Sequence, residues 1–139
     1  MPCLNGKRNG LLKEYNNDGE LIFEGEILNN ERWNGKIKEY NVFDKLIFEG
    51  EILNGKKSGK GKEYNDDGEL IFEGIYLNGE KWTGKIKEYG FGKLIFEGEY
   101  LNGKRNGKGK EYYYNGEIYF EGEYINGKRR TKKNILKYL

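Results

Sequence analysis

The 139-residue sequence contains no histidine, one cysteine, one proline and one methionine. Without histidine, neither a Cys–His catalytic pair nor a histidine-based metal site can form. A single cysteine, Cys3, excludes an internal disulfide bond and fits a reducing compartment. No run approaches the ~18 apolar residues that a membrane-spanning helix needs, and the first ten residues lack the apolar segment of a secretory signal. We therefore expect an intracellular, cytoplasmic protein.

Hydrophobic and charged residues each make up 35% of the chain, and aromatic residues make up 15%. This composition is too polar for a thick core but too rich in rings for disorder, so it predicts a thin structure whose few rings carry the burial. The net charge of +2 is unevenly distributed. Residues 128–139 hold six cations and no acid, which leaves −4 for residues 1–127.

A repeat dominates the sequence. The tripeptide Phe-Glu-Gly recurs in steps of 25, 24, 24 and 24 residues, beginning at Phe23, Phe48, Phe72, Phe96 and Phe120. A fixed period of this size indicates a stacked-repeat architecture. Residues 4–10 also match residues 101–107. We predict a tandem array over residues 1–130, with a partial first unit at 1–16, followed by a basic cap or tail at 131–139.

Each repeat predicts a β-hairpin. Leu94–Leu101 alternates between two faces, which indicates a strand. Asn102-Gly103 follows, and both residue types tolerate the positive φ of a tight hairpin turn. Lys108–Tyr112 forms the second strand. The fold class is therefore all-β, an elongated single-layer antiparallel meander of about five hairpins with a period of about 24 residues, roughly 50 Å long at ~4.8 Å per strand.

The alternation predicts two different faces. If Tyr100 lies near Gly107, rings cover bare glycine backbone on one face. The opposite face then sets Glu97 and Glu99 against Lys108 and Lys110, which favours this register.

A two-unit period lies inside the repeat. Ile37 and Ile86 replace the second glycine of the downstream strand, and Trp33 and Trp82 precede them. Both pairs are 49 residues apart. The simplest interpretation is that Ile fills space that a ring would cover and Trp packs beside it, so the structure should alternate every two units.

The run Phe96-x-Gly98-x-Tyr100-x-x-Gly103-x-x-x-Gly107-x-Gly109 resembles the MORN (membrane occupation and recognition nexus) repeat. The departures are Phe where that family often has Tyr, Ile27 and Ile52 where it prefers an aromatic, and the Ile37 and Ile86 replacements. The resemblance implies an elongated, twisted β-ribbon with a groove. It also implies a non-catalytic function, such as scaffolding, self-association, binding of a helix or peptide or, in some members, contact with phospholipid.

No catalytic, metal or cofactor site is expected, because the acids recur once per hairpin instead of converging and the Gly-x-Gly runs lack the features of a phosphate cradle. The aromatic row has two interpretations. It forms the thin core, or it lines an open groove for an apolar helix or peptide. The candidate groove residues are Phe23, Trp33, Phe48, Phe72, Tyr76, Trp82, Phe96, Tyr100, Phe120 and Tyr124.

The basic tail is the second candidate surface. It either caps the last hairpin or contacts the phosphates of lipid or RNA. The residues for anion binding are Lys128, Arg129, Arg130, Lys132 and Lys133. The leading hypothesis is a non-catalytic module that binds a protein partner as a scaffold or assembly subunit. The alternatives are membrane tethering, an accessory role on an RNA–protein particle, and self-association through sheet edges.

Overall fold

The computed structural model describes residues 3–4 and 7–131, with side chains over residues 9–131. The described residues contain thirteen strands and no helix. The strands are β1 Cys3–Leu4, β2 Lys7–Arg8, β3 Gly10–Tyr15, β4 Leu21–Leu28, β5 Glu31–Tyr40, β6 Leu46–Leu53, β7 Lys56–Tyr64, β8 Leu70–Leu77, β9 Glu80–Gly90, β10 Lys93–Leu101, β11 Lys104–Tyr112, β12 Ile118–Ile125 and β13 Lys128–Arg129.

Strands β3 to β13 form one open sheet of eleven strands. Every strand pairs antiparallel with its neighbours in the sequence, so the sheet is a continuous meander of hairpins. The short strands β1 and β2 pair separately with each other. The predicted all-β, single-layer hairpin array is confirmed.

The Asn-Gly hairpin turns are also confirmed. Asn54 and Gly55 have φ values of 53° and 79°, and Asn78-Gly79, Asn102-Gly103 and Asn126-Gly127 repeat this geometry. In the hairpin of β4 and β5, Asn29 and Asn30 take the same left-handed region. Asn is the residue, after Gly, that most readily adopts that conformation, so the substitution preserves the turn.

Most of the turns at the opposite end of the hairpins use an asparagine side chain, whereas the β9–β10 turn is Phe91-Gly92. The backbone N–H groups of Asp18 and Glu20 donate to Oδ1 of Asn16 at 3.0 and 2.9 Å. Asn41 and Asn65 accept equivalent bonds. These local bonds define the turn without help from the core.

The predicted register is right on one side of a bulge and wrong on the other. Glu97 lies opposite Lys110, and Gly98 lies opposite Gly109, as expected. An irregularity between Gly98 and Tyr100 then shifts the ladder, so Tyr100 lies opposite Arg105 instead of near Gly107. Gly107 faces the next aromatic residue along the sheet, Tyr124. The shift also separates Glu99 from Lys108, so that expected pair does not form in this hairpin.

Rings do lie across glycine backbone. A Cβ atom placed on Gly109 would lie 2.8 Å from a ring carbon of Phe96 and 2.9 Å from one of Tyr124. Gly61 has the same relation to Phe48 and Tyr76. These glycines are required because any side chain would displace the rings.

The structure confirms the two-unit alternation. Phe48 lies opposite Glu63, and Phe96 lies opposite Glu111. Phe23 instead faces Ile37 and Phe72 faces Ile86, because the second strand of these hairpins is shifted along its partner. Both isoleucines belong to the buried core.

The two tryptophans take a different place from the one expected. Trp33 and Trp82 are half-buried and are not among the residues packed on the core cluster. They lie against Gly55 and Gly103 of the next Asn-Gly turn, and those glycine N–H groups donate to the tryptophan carbonyls at 2.8 and 2.7 Å. Each tryptophan therefore supports the turn of the following hairpin.

Candidate interaction surfaces

We call the side of the sheet that carries the five repeated phenylalanines the ring face. Six of the ten predicted groove residues are buried there, with exposures of 0–2%: Phe23, Phe48, Phe72, Tyr76, Phe96 and Tyr124. Tyr100 and Phe120 are partly buried and pack against them. The rings meet edge to face, as Phe48 and Tyr76 do at 5.4 Å between centroids and 87° between planes. This geometry is favourable for aromatic pairs.

A basic side chain covers four of the five repeated phenylalanine rings. Nζ of Lys57 lies 4.2 Å from the ring centroid of Phe48, and Cζ of Arg105 lies 4.0 Å from that of Phe96. Arg32 and Arg129 occupy the same place over Phe23 and Phe120. Sequence reasoning missed this cover. Its signal was present, since Arg32, Lys57, Lys81, Arg105 and Arg129 recur with the repeat period.

Glutamates on the second strands hold these cations in place. Oε atoms of Glu63 lie 3.8 Å from Lys57 and 2.9 Å from Lys81. Arg105 contacts Glu88 at 3.0 Å and Glu111 at 2.9 Å, and Glu111 also pairs with Arg129. Burial alone would lower the pKa of Arg105, but its hydrogen bonds and charge pairing with Glu88 and Glu111 raise that pKa overall.

Tyrosine hydroxyl groups join the same network. Tyr76 donates to Glu63 at 3.0 Å, and Tyr100 donates to Glu88 at 3.1 Å. Burial, with a smaller contribution from the nearby carboxylate, raises the pKa of Tyr100 to about 12. The ring face is therefore a closed layer of rings, cations and carboxylates.

This closure favours the interpretation of the aromatic row as the thin core over that of an open groove. The six buried rings cannot touch a partner directly, because neighbouring rings and the cations above them occupy the space that a ligand would need. The six buried rings fit the other interpretation, in which the aromatic row forms the thin core. Trp33, Trp82, Tyr100 and Phe120 retain partial exposure. Whether any of the ten residues binds a partner stays a prediction.

The opposite side carries Glu24, Glu49, Glu73, Glu97 and Glu121, and we call it the charged face. It contains two concave grooves. The first encloses about 680 Å³ between β4 and β8, and its lining includes Glu49, Lys62 and Ile75. The second encloses about 940 Å³ between β8 and β12, and its lining includes Lys85, Glu99 and Lys110. The backbone of the repeat glycines contributes to the lining of both grooves.

Charges of opposite sign alternate from strand to strand on this face. One row of directly opposed residues runs Lys38, Glu49, Lys62, Glu73, Lys85 and Glu99. Nζ of Lys62 lies 3.4 Å from Glu73, and the Tyr64 hydroxyl donates to Glu49 at 3.1 Å. The groove walls therefore present both signs of charge at short intervals.

Two of the five predicted anion-binding residues are engaged within the array. Arg129 pairs with Glu111, and Nη1 of Arg130 lies 2.6 Å from Glu123. A carboxylate therefore partly neutralises each of these two cations and would compete with a phosphate for it. Lys128 is exposed. Lys132 and Lys133 lie outside the described residues, as do residues 132–139 of the predicted cap. Lipid or RNA binding by the tail stays a prediction.

Within the described part of the chain, no group of three or more acidic, cysteine or histidine side chains is placed to hold a metal ion. Residues 3–4 and 7–131 contain no helix that is long and apolar enough to cross a membrane.

The fold is an open, repeating β-ribbon with a closed ring face and a grooved charged face. The family model of the MORN repeat matches three stretches of the hairpin array, residues 48–69, 96–118 and 120–130. MORN repeats are generally modules for protein or membrane interaction and are not enzymes. A comparison with curated proteins finds no match.

Proposed function

We propose that the chain is a non-catalytic scaffold that binds an amphipathic helix of a protein partner along the charged face. The observation that carries this proposal is the pair of adjoining grooves, about 680 and 940 Å³ in volume, on one side of the ribbon. Together they extend from β4 to β12. A concave surface of this size with apolar and polar lining is typical of binding sites.

The direction of the grooves favours a helix over an extended peptide. The grooves run across the strands, and the backbone groups of their floor already pair within the sheet. An extended segment lying on the face would leave its own N–H and C=O groups unpaired, whereas a helix satisfies them internally. Eight strand intervals of ~4.8 Å give roughly 38 Å, the length of a helix of about 25 residues.

The residues that line the grooves determine which side chains a bound helix would carry. Alternating Lys and Glu walls complement a partner with charges of both signs, and the glycine and isoleucine floor complements an apolar stripe. Ile75 is the most distinctive contact. It is 40% exposed in the first groove, at the position where other repeats carry Glu26, Glu51, Glu99 and Glu123.

Crosslinking locates the partner on one face. A photoreactive residue at position 75 should capture a partner protein from native extract, and mass spectrometry then identifies the crosslinked segment. The same residue at position 81, on the ring face, is the control and should not capture it. Capture from position 81 alone would contradict the proposal.

Binding of the identified segment as a synthetic peptide gives the quantitative test. Ile75→Glu should weaken binding at least about tenfold, because it removes apolar burial. The variant should keep its fold, since glutamate is the residue of the other repeats at this position. Ile75→Val is the control and should bind like the unmodified chain. Unchanged affinity in Ile75→Glu, or a peptide that gains no helix when it binds, would rule out the groove as the site.

A further inference from the structure

The turns that join one hairpin to the next carry strongly exposed apolar side chains. These turns lie at one end of the strands, and we call that end the tip rim: residues 16–20, 41–45, 65–69, 90–93 and 113–117. Val42 is 90% exposed there, Phe43 is 76% exposed and Phe91 is 97% exposed. Single exposed apolar residues are normal on a protein surface, but these three lie along one rim of the ribbon.

The exposed rings follow the two-unit period of the array. The residue five positions before each repeated phenylalanine is, in chain order, Asp18, Phe43, Asp67, Phe91 and Asn115. The residue two positions further on also alternates, as Glu20, Lys45, Glu69, Lys93 and Glu117. Acidic turns and phenylalanine turns therefore alternate along the first four turns of the rim. Neighbouring turns are two strand intervals, about 10 Å, apart, so the two phenylalanines are roughly 20 Å apart.

The β5–β6 turn does not need its phenylalanine. The N–H of Asn41 donates to the carbonyl four residues further on at 2.9 Å, and Asn65 of the β7–β8 turn makes the same bond at the same length. Both asparagine side chains also accept the same pair of backbone bonds. The β7–β8 turn makes these bonds with Asp67 at the position of Phe43. Folding therefore does not explain the ring at position 43.

The β9–β10 turn suits asparagine better than phenylalanine. Phe91 and Gly92 have φ values of 49° and 76°, close to the 53° and 79° of Asn54 and Gly55. This left-handed region is favourable for Asn and Gly and unfavourable for a bulky side chain. Because Phe91 is almost fully exposed, its ring gains no burial that would offset this conformation.

The tip rim is also acidic. Its five turns contain seven acids and two lysines, which gives them a net charge of −5. Within the described residues, no salt bridge engages any of these seven acids. Such a surface repels the phosphates of lipid and nucleic acid and attracts a cationic one. Rings that project between carboxylates therefore complement a partner that is both basic and apolar.

We propose that the tip rim binds a lysine- and arginine-rich segment of a protein partner that also carries apolar side chains. Phe43 and Phe91 insert among those apolar side chains, and the acidic turns pair with the cations. Aromatic anchors surrounded by polar contacts are typical of protein interfaces. Neither phenylalanine lines a groove of the charged face, so this surface is separate from the one proposed for the helix.

A display library of random peptides, selected on the full chain, tests the surface. The selected peptides should be rich in Lys, Arg and apolar residues, and the double variant Phe43→Asp with Phe91→Asn should bind them at least about tenfold more weakly. Asp67→Asn should weaken binding about two- to fivefold and reduce its dependence on salt. Leu53→Thr and Glu80→Gln change exposed residues at the opposite rim. They are the controls and should bind normally.

Thermal denaturation separates binding from folding. Phe43→Asp should keep the melting temperature, and Phe91→Asn should raise it, because Asn suits the left-handed backbone. A lower melting temperature in Phe91→Asn would show that its ring supports the fold and would overturn the proposal. The same conclusion would follow if no peptide were selected, if the peptides lacked an excess of cations, or if the double variant bound them equally well. Ile75→Glu should bind them normally, which separates the tip rim from the groove.

Discussion

The guanidinium carbon of Arg105 lies 4.0 Å from the ring centroid of Phe96, and the same guanidinium contacts Glu88 and Glu111. One side chain thus covers a buried ring and joins carboxylates of two neighbouring second strands. Because this contact recurs along the array, the ribbon is sealed on one side without a second layer of structure. Stability and surface chemistry both depend on it.

Removing the Arg105 side chain should therefore destabilise the fold. We expect Arg105→Ala to lower the free energy of unfolding by about 1–3 kcal/mol, from lost cation–π contact and unpaired carboxylates. Urea denaturation followed by circular dichroism measures the change. Lys104→Ala, at the exposed neighbouring position, should stay within about 0.5 kcal/mol of the unmodified chain. Equal effects of the two substitutions would show that Arg105 has no structural role.

The glycine beneath the rings gives a second prediction. Gly109→Ala should cost about 1–3 kcal/mol, because its Cβ would lie within 3 Å of the rings of Phe96 and Tyr124. Gly90→Ala is the control, since a Cβ there meets only ordinary contacts with Ile95 at 3.5 Å. Thermal denaturation of both variants compares them. A Gly109→Ala variant as stable as the control would mean that the rings can move aside at no cost.

Tyr100 makes stability depend on alkaline pH. Its pKa is raised to about 12 in the fold, chiefly by burial and then by Glu88, against about 10 in an unfolded chain. Between these values the unfolded chain loses the proton while the folded chain keeps it, so stability decreases as pH rises.

Denaturation at several pH values from 9 to 12 tests this slope. Tyr100→Phe should reduce this slope, because phenylalanine does not titrate, while other tyrosines with raised pKa values, such as Tyr112, keep part of it. Tyr113→Phe, at an exposed turn position, should leave the slope unchanged. If Tyr100→Phe and the unmodified chain lose stability in parallel, the titration of Tyr100 is not coupled to folding.

The charged face should contribute far less than the ring face. Lys62 and Glu73 are 3.4 Å apart, but about half of each side chain is exposed. Exposed pairs contribute about 0–1 kcal/mol, so Lys62→Ala should change stability by less than about 1 kcal/mol. Chemical denaturation at low and high salt measures it. A loss as large as that of Arg105→Ala would reverse the assignment of the two faces.

Much of the fold was predictable because its information is local. The positions of strands and turns follow from period-two alternation and from Asn-Gly dipeptides, and the recurrence of Phe-Glu-Gly gave the number of hairpins. The Ile37 and Ile86 replacements predicted the two-unit alternation correctly. The cover of four of the five phenylalanines by Arg or Lys was not predicted, because a charged residue in a strand is usually assigned to solvent. Its fixed spacing from the phenylalanines was the available clue.

By itself, the sequence determined an antiparallel ribbon of stacked hairpins, because each unit encodes its strands and turns within about 24 residues. Only the tertiary structure decided which face is open. The bulge between Gly98 and Tyr100 sets which side chains meet across the strands, and the resulting contacts bury the rings beneath cations drawn from neighbouring hairpins. Such contacts join residues of different repeats, and their geometry is fixed only once the strands are aligned.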